Sequence, residues 1–195
     1  MSTAPARRGK ATIADLFAIL EEERRRYELL DGELVERGAA SGEHGTSQAA
    51  IGERLRSQFD RRPGGARPGG WWFASEVDLR FGEDVCRPDV VAWRRERVPE
   101  RPRGALVALR PDWTCEILST NRRSDLIRKK RIYHRHQVSH YWILDPDECT
   151  LAVYRWHTDG YLEVLAAERG QRVRAEPFDA IELAVGELFG DDPEE

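Results

Sequence analysis

The sequence predicts a single α/β (α+β) domain, and three observations point to it. Over residues 14–23, 43–59 and 124–136, side chains that would share one face of a helix recur every three or four residues. Shorter segments between these helices alternate in polarity or are rich in β-branched and aromatic residues, as strands are. A chain of 195 residues, 40% of them apolar, suits one domain with a sizeable core, although two small domains would also fit. We expect a flexible N-terminal tail over residues 1–11 and one domain over residues 12–195.

The N-terminal third predicts a helix, a hairpin and a second helix. Thr12 can cap the first helix. Residues 27–35 predict a hairpin, because their central Asp-Gly pair tolerates the positive φ of a type I′ turn. In the second helix, over residues 43–59, one face carries His44, Gln48, Ile51 and Leu55. His44 should therefore point inward from the first turn of that helix.

The rest of the chain predicts mainly strands. Residues 71–81 alternate in polarity, and residues 85–93 return after a Gly-Glu-Asp turn, which predicts a second hairpin. Ser124 can cap a helix that runs to about residue 136. Beyond residue 170 the sequence is only weakly patterned. Further strands are predicted over residues 113–118, 140–144 and 150–156.

Composition and charge restrict the class of protein. The formal net charge is −4, which argues against a non-specific nucleic-acid coat but allows local contact with DNA, since attraction depends on where charge lies. No apolar stretch is long enough to span a membrane, and the N-terminus lacks the apolar core of a secretory signal. Three cysteines are consistent with reduced core residues. We therefore expect a cytoplasmic protein without a membrane partner.

Two acidic residues fall in strand-like segments where an unpaired carboxylate is costly. Asp89 stands at the entry to a buried strand, and Glu116 lies within the strand predicted over residues 113–118. If these strands are neighbours, both acids can converge on a hard divalent cation. Carboxylate oxygens, the backbone carbonyl of Ile117 and water are ligands that Mg²⁺, or Mn²⁺, accepts. The pair predicts a metal site.

Lysine is rare in this chain, with three lysines among 31 basic residues. Two of them, Lys129 and Lys130, follow the two acids. A compact ammonium suits a position beside a metal-bound water and a phosphate. On the predicted helix the two lysines flank the apolar stripe from either side, so periodicity does not choose between them. Lys129 also stands four residues after Asp125, a spacing that permits an ion pair.

The segment from residue 120 to residue 135 is strongly basic, with seven Lys or Arg residues against one acid. One interpretation is a solvated helix face. The other is a surface that contacts the DNA backbone, which predicts that affinity falls steeply with salt. Besides the two lysines, the basic side chains are Arg122, Arg123, Arg128, Arg131 and Arg135.

Several segments together resemble a known family. The order of Pro88-Asp89 and Glu116-Ile117-Leu118 resembles the PD-(D/E)xK nuclease signature, except that Leu118 stands where that signature has lysine. More closely, the chain resembles the Uma-type restriction endonucleases of that superfamily, which carry the lysine on the following helix. The matching segments are 26–34, His44, 116–119, the Asp125/Lys129/Tyr133 spacing and 138–146.

The resemblance implies a restriction-endonuclease-like fold, with a mixed central β-sheet flanked by helices, and metal-dependent cleavage of DNA. It implies catalytic roles for Asp89, Glu116 and Lys129, and so selects Lys129 over Lys130. Glu76 lies near a position where the family has an acid, so it becomes a supporting metal ligand and catalytic candidate. Its alternative is a solvated strand face. His44 matches a family position and is a catalytic candidate, although it also suits a structural first-turn histidine.

Three hypotheses for function follow. The first is a DNA endonuclease in which Asp89 and Glu116 bind Mg²⁺, Lys129 orients or deprotonates the attacking water, and Arg122, Arg123, Arg128, Lys130 and Arg131 contact DNA. The second is a catalytically inactive relative that binds nucleic acid or a protein partner. The third is a nuclease selective for DNA junctions or flaps. A homodimer would suit cleavage of both strands of a duplex.

Overall fold

The structure is a computed structural model that describes residues 9–193. Most of the expected N-terminal tail, residues 1–8, lies outside the described residues. The backbone N–H of Ala11 donates to the carbonyl of Gly32 at 2.8 Å, so the end of the expected tail already contacts the first hairpin.

The described chain contains twelve strands, four α-helices and two short helices of other types. The helices are α1 (Ile13–Ala18), α2 (Glu21–Arg24), α3 (Gly42–Phe59), a π-helix (Ser124–Lys129), α4 (Lys130–Arg135) and a 3₁₀-helix (Gly186–Phe189). The strands are β1 (Tyr27–Leu30), β2 (Glu33–Glu36), β3 (Trp71–Ser75), β4 (Leu79–Phe81), β5 (Asp84–Cys86), β6 (Val90–Arg94), β7 (Trp113–Ile117), β8 (His140–Asp145), β9 (Thr150–Arg155), β10 (Leu162–Glu168), β11 (Arg172–Val173) and β12 (Leu183–Ala184).

The central sheet has six strands in the order β10-β9-β8-β7-β6-β3. It is mixed, because β7 and β8 run parallel while the other neighbouring pairs are antiparallel. A four-stranded sheet of order β2-β1-β5-β4 and the two-stranded sheet β11-β12 complete the described strands. The α+β class and the mixed central sheet flanked by helices are thus confirmed.

Apolar side chains cover both faces of the central sheet. On one face, Ile51 and Leu55 of α3 and Phe178 from the C-terminal segment pack on Trp113 and Trp142. On the other face, Leu30, Phe81, Trp93, Tyr133 and Tyr141 form a second cluster between the central sheet, the smaller sheet and α4. Burial on both faces explains why β7 reads as a run of buried residues rather than as an alternation.

Two expected strands are each divided between the two sheets. The prediction of one strand over residues 71–81 was wrong: β3 joins the central sheet and β4 the smaller one. The return over residues 85–93 divides in the same way into β5 and β6. Glu76, with φ of 56°, lies at the first break, outside any strand. The alternative of a solvated strand face holds only in part: Glu76 is exposed, but it lies outside a strand, and the next acid, Asp78, is buried and ion-paired with Arg87 at 2.8 Å.

Other boundaries differ less. The first expected helix divides into α1 and α2, since α1 ends before Ile19, whose backbone is extended. The helix expected from Ser124 begins as a π-helix and continues as α4. The prediction that Ser124 caps it was wrong, because Ser124 lies within the π-helix and its hydroxyl has no hydrogen-bond partner in the described part of the chain. Strand β10 was not expected, whereas the hairpin β1–β2, helix α3 and strands β7, β8 and β9 were.

The topology brings the candidate residues together where two inner strands of the central sheet end, β6 at its first residue and β7 at its last. Strands β6 and β7 are antiparallel neighbours, with Val90 opposite Cys115. The start of β6, next to Asp89, therefore lies beside the end of β7, which carries Glu116. The first turn of α3 and the π-helix reach the same strand ends.

Candidate active site

Asp89 is buried immediately before β6 and has three close partners. Its Oδ2 accepts a hydrogen bond from the backbone N–H of Ile117 at 2.7 Å and lies 3.3 Å from Nε2 of His44. Its Oδ1 lies 3.3 Å from Nη2 of Arg37. Burial by itself raises the pKa of Asp89, but the hydrogen bond from His44 and the charge of Lys129 outweigh it and leave that pKa below its usual value. The side chain is therefore a carboxylate at neutral pH.

Glu116 is also fully buried, and both of its oxygens are engaged. Oε2 lies 2.9 Å from Nζ of Lys129, and Oε1 accepts a hydrogen bond from the hydroxyl of Tyr133 at 2.6 Å. Burial raises the pKa of Glu116 well above its usual value, although Lys129 acts in the opposite direction. A further cation near Glu116 would stabilise its charged form.

Lys129 joins three acidic side chains in the interior. Its Nζ lies 2.9 Å from Glu116, 3.0 Å from Asp125 and 3.2 Å from Glu28. Burial lowers the pKa of Lys129, but the charges of Asp125, Glu116 and Glu28 outweigh it and raise that pKa well above its usual range. Lys129 is therefore an ammonium at neutral pH.

The π-helix decides which of the two lysines enters the interior. Its hydrogen bonds connect residues five apart, and Ser124, Asp125 and Lys129 are its buried residues. Lys130 instead lies over the ring of Tyr154, with Nζ 3.4 Å from the ring centroid. The residue selected by the family resemblance is thus the one that meets Glu116.

His44, Gln48 and Glu76 surround Asp89 from the side of α3. Nε2 of Gln48 donates to the carbonyl of Asp89 at 3.0 Å and to Oε1 of Glu76 at 3.2 Å. The hydrogen bond with Asp89 raises the pKa of His44, and burial acts against this rise. Nδ1 of His44 is buried and has no hydrogen-bond partner among residues 9–193. The expected inward direction of His44 is confirmed by its burial.

A cavity of about 100 Å³ lies among these side chains, large enough for a few water molecules. Asp89, Ile117, Ser124, Asp125 and Lys129 are among the residues that line it. The hydroxyl of Ser124 is buried and has no hydrogen-bond partner in the described part of the chain. Because a buried polar atom without a partner is costly, this hydroxyl makes the cavity suited to a polar occupant.

Four side chains of the site were not assigned a role from the sequence. They are Glu28, Arg37, Ser124 and Asp125. Glu28 had a signal, since it is a lone acid in an otherwise apolar strand, and Asp125 had the ion-pair spacing to Lys129. Arg37 had no such signal, because only the tertiary structure shows that the end of β2 lies beside Asp89. Ser124 had only the signal of a helix cap.

The donor set suits a divalent cation in charge and chemistry. Four buried carboxylates, those of Glu28, Asp89, Glu116 and Asp125, face one ammonium and the guanidinium of Arg37. The excess of negative charge and the oxygen donors match what Mg²⁺ and Mn²⁺ prefer. The side chains are not yet arranged as a complete metal site, since within residues 9–193 no three His, Cys, Asp or Glu side chains are placed so that they could hold a metal ion together. To become a ligand, Glu116 would have to share its oxygens with Lys129 and Tyr133 or release one of them.

Most of the basic residues proposed to contact DNA have partners within the protein. Arg122 pairs with Asp145 at 3.0 Å, Arg128 with Glu33 at 2.7 Å and Arg131 with Asp31 at 2.6 Å. Lys130 rests on Tyr154. Arg123 is exposed and has no ion-pair partner in the described part of the chain. The basic segment is therefore partly a set of internal ion pairs.

The sheet topology and this site define a class of protein. The sheet is mixed and flanked by helices, and acids from two neighbouring strands meet a lysine from the next helix at the ends of those strands. This arrangement is the restriction-endonuclease-like fold. The chain matches the model of the Uma2 family, described as "Putative restriction endonuclease", over residues 13–186, and it belongs to that family.

A solved structure supports the same fold. The chain is 22% identical to "a putative nuclease belonging to DUF820" from Anabaena variabilis ATCC 29413, with a TM-score of 0.73. The similarity covers 91% of this chain and 97% of that one. The comparison with curated proteins gave no match. Within residues 9–193, no helix has the length and apolar character needed to cross a membrane.

Proposed function

We propose that this protein hydrolyses phosphodiester bonds in DNA with a divalent metal ion, Mg²⁺ or Mn²⁺. One observation carries the proposal: Asp89, Glu116 and Lys129 lie together at the ends of β6 and β7. The cavity beside them is surrounded by more buried acidic side chains than basic ones. Membership of the family supports a nuclease in general. Metal dependence and DNA as substrate are supported by the chemistry of the side chains.

In this proposal Asp89, Glu116 and the backbone carbonyl of Ile117 would hold the metal. Glu76, expected as a supporting ligand, is engaged by Arg37 and Gln48 and would support the site from beside Asp89. When bound, a divalent ion lowers the pKa of a coordinated water and neutralises charge on the phosphate. The N–H of Ile117 and the imidazole of His44 keep Asp89 charged and oriented, because both interact with its Oδ2.

Lys129 acts as an ammonium. Its raised pKa supports a role in orienting the attacking water and stabilising negative charge on the phosphate. It does not favour removal of a proton from water, since that would require the neutral amine. Glu28 and Asp125 hold the ammonium beside Glu116 and so position it.

Contact with DNA is proposed for Arg123, which is exposed, and for Arg122, Arg128, Lys130 and Arg131. The last four would have to exchange or share their present partners. Weakening of DNA binding by salt would follow from such contacts. Two symmetric sites in a homodimer would allow both strands of a duplex to be cut.

A cleavage assay with a matched pair of lysine variants tests the proposal. Wild type should cut DNA in Mn²⁺, and Lys130→Ala should keep its kcat and lose only affinity for DNA. Lys129→Ala should instead lose about 10²–10³-fold in kcat, the loss typical of removing one preorganised charge-stabilising group. Equal cutting by Lys129→Ala would remove Lys129 from the mechanism. Comparing plasmid, linear and branched substrates in the same assay addresses selectivity for junctions or flaps.

One observation favours a second candidate, a catalytically inactive protein that binds nucleic acid or a protein partner. Both oxygens of Glu116 are satisfied within the protein, by Lys129 and Tyr133. Calorimetric titration with Mn²⁺ separates the two candidates. Binding to wild type that is lost in Asp89→Ala supports the nuclease, whereas no binding, or equal binding to the variant, supports the inactive protein.

A further inference from the structure

Arg37 enters the candidate active site from the end of β2. Its backbone N–H donates to the carbonyl of Arg26 at 2.7 Å, which continues the pairing of β1 with β2 and fixes where the side chain begins. The guanidinium donates to Glu76 through Nη1 at 2.6 Å and through Nη2 at 3.2 Å. Nη2 also lies 3.3 Å from Oδ1 of Asp89. One cation thus bridges two acids from different segments of the chain.

The backbone of Glu76 is arranged to present its carboxylate at this point. Its φ of 56° lies in the left-handed region, which is unfavourable for a residue with a β-carbon. Gln48 adds a hydrogen bond to Glu76 and another to the carbonyl of Asp89, and so fixes the spacing between the two acids. An unfavourable conformation held by two partners favours a functional placement of Glu76.

The guanidinium lies where a second cation shared by Glu76 and Asp89 would have to lie. It is mostly buried, with 19% of the side chain exposed, whereas Lys129 is only 4% exposed. Arg37 lines the site cavity and also an adjacent, more open groove of about 460 Å³. Of these two cations, Arg37 is therefore the more accessible to an incoming phosphate, and its planar fork of donors fits phosphate oxygens as well as carboxylates.

We infer that Arg37 is a catalytic residue that takes the place of a second metal ion. Without substrate it holds Glu76 and Asp89 together, and with substrate it donates to a non-bridging oxygen of the scissile phosphate. The inference rests on the proposed function. It implies that one divalent ion per chain is sufficient, on the side of Asp89 that faces Glu116.

Counting bound Mn²⁺ by electron paramagnetic resonance tests the inference without relying on activity. Wild type should bind one Mn²⁺. Arg37→Met should bind a second, because Glu76 and Asp89 lose their shared cation, and adding Glu76→Gln to that variant should return the count to one. Arg37→Lys keeps the charge and should bind one. Arg25→Met is the matched control, since Arg25 is an exposed arginine beside the groove, and it should also bind one.

Each result has a distinct meaning. Two Mn²⁺ in wild type, or one in a folded Arg37→Met, would overturn the inference and leave the proposed function standing. No Mn²⁺ in wild type would overturn both. If Arg37→Met does not fold, as circular dichroism would reveal, the counts for wild type and Arg37→Lys decide, and a second ion in either contradicts the inference. In a cleavage assay, Arg37→Lys should lose roughly 10²-fold in kcat, as expected when a bidentate donor to the transition state is removed.

Discussion

At the scale of single residues, the clearest contrast is between Lys129 and Lys130. Both are adjacent lysines on the same helical segment, yet one meets three carboxylates and the other lies on an aromatic ring. An isolated buried ammonium is expensive, and so is each isolated buried carboxylate. Their mutual compensation allows charged groups to remain in the interior beside the cavity.

Replacing Lys129 with methionine should destabilise the fold in a pH-dependent way. At pH 7 the loss should be about 3–5 kcal/mol, because buried carboxylates are left without their cation. Burial already raises the pKa values of Glu116, Glu28 and Asp125 in the folded protein. Without Lys129 those pKa values rise further, so the folded variant takes up protons more readily than the unfolded chain, and its stability recovers as pH falls from 7 toward 5.

Urea unfolding of Lys129→Met and wild type at pH 7 and pH 5 measures this effect. Lys130→Met serves as the control and should lose no more than about 1 kcal/mol, since only a cation–π contact and some apolar packing are changed. A loss for Lys129→Met that is the same at both pH values would show that the carboxylates do not depend on this ammonium.

At the scale of elements, ion pairs at strand ends tie the basic segment to the sheets. Arg122 pairs with Asp145, the last residue of β8, which also accepts hydrogen bonds from the backbone N–H groups of Asp147 and Glu148. These contacts fix the turn between β8 and β9 and the loop before the π-helix at the same time. A residue that reads as a surface cation is therefore part of the framework of the site.

The Asp145 contact predicts a pH-dependent stability at the acidic end. The hydrogen bond from Arg122 lowers the pKa of Asp145 below its usual value near 3.8, with burial opposing it. A lowered pKa in the folded state stabilises the fold above the unfolded pKa, and this contribution is lost as pH falls through the folded value. Asp145→Asn should thus cost about 1–2 kcal/mol at pH 7, allowing for the partial exposure of Arg122, and the difference from wild type should shrink below about pH 4.

Thermal unfolding of Asp145→Asn and wild type across pH 3–7 provides the measurement. Asp159→Asn is a suitable control, because Asp159 is exposed in the loop after β9 and should change stability little at any pH. A constant difference between Asp145→Asn and wild type down to pH 3 would argue against the ion pair as the cause.

At the scale of the whole molecule, the weakly patterned C-terminal segment supplies much of one core. Phe178 lies at the centre of an aromatic cluster, with ring centroids 4.9 Å from Phe59 and Trp71, 5.2 Å from Trp113 and 5.7 Å from Trp142. It joins the C-terminal segment to α3 and to three strands of the central sheet. The segment therefore completes the domain although its sequence has little periodicity.

Phe178→Ala should destabilise the whole domain by about 3–5 kcal/mol, the usual cost of removing a buried aromatic ring. Leu162→Ala, at a 45% exposed position on β10, should cost less than about 1 kcal/mol. Chemical denaturation followed by tryptophan fluorescence measures both. A small effect of Phe178→Ala would show that the C-terminal segment is not coupled to the core of the sheet.

The sequence predicted several elements correctly because their signals are local. The Asp-Gly turn of the first hairpin, the spacing on α3 and the buried run of β7 each depend on neighbouring residues. The division of residues 71–81 and 85–93 between two sheets was not predictable in this way. Alternation in polarity indicates a strand, but only long-range pairing decides which sheet each part joins, and Glu76 and Asp89 lie where the parts separate.

By itself, the sequence determined the class of fold and the family. Buried acids and two adjacent rare lysines made Asp89, Glu116 and the Lys129–Lys130 pair chemically conspicuous, the family resemblance selected Lys129, and the roles of these residues stay predictions. Only the tertiary structure decided that Glu28 and Asp125 share the ammonium, that Arg37 bridges Glu76 and Asp89, and that several arginines are occupied by internal ion pairs. The physical reason is that Coulomb interactions and desolvation depend on distance and burial in three dimensions, which bring together residues from Glu28 to Lys129 that are far apart along the chain.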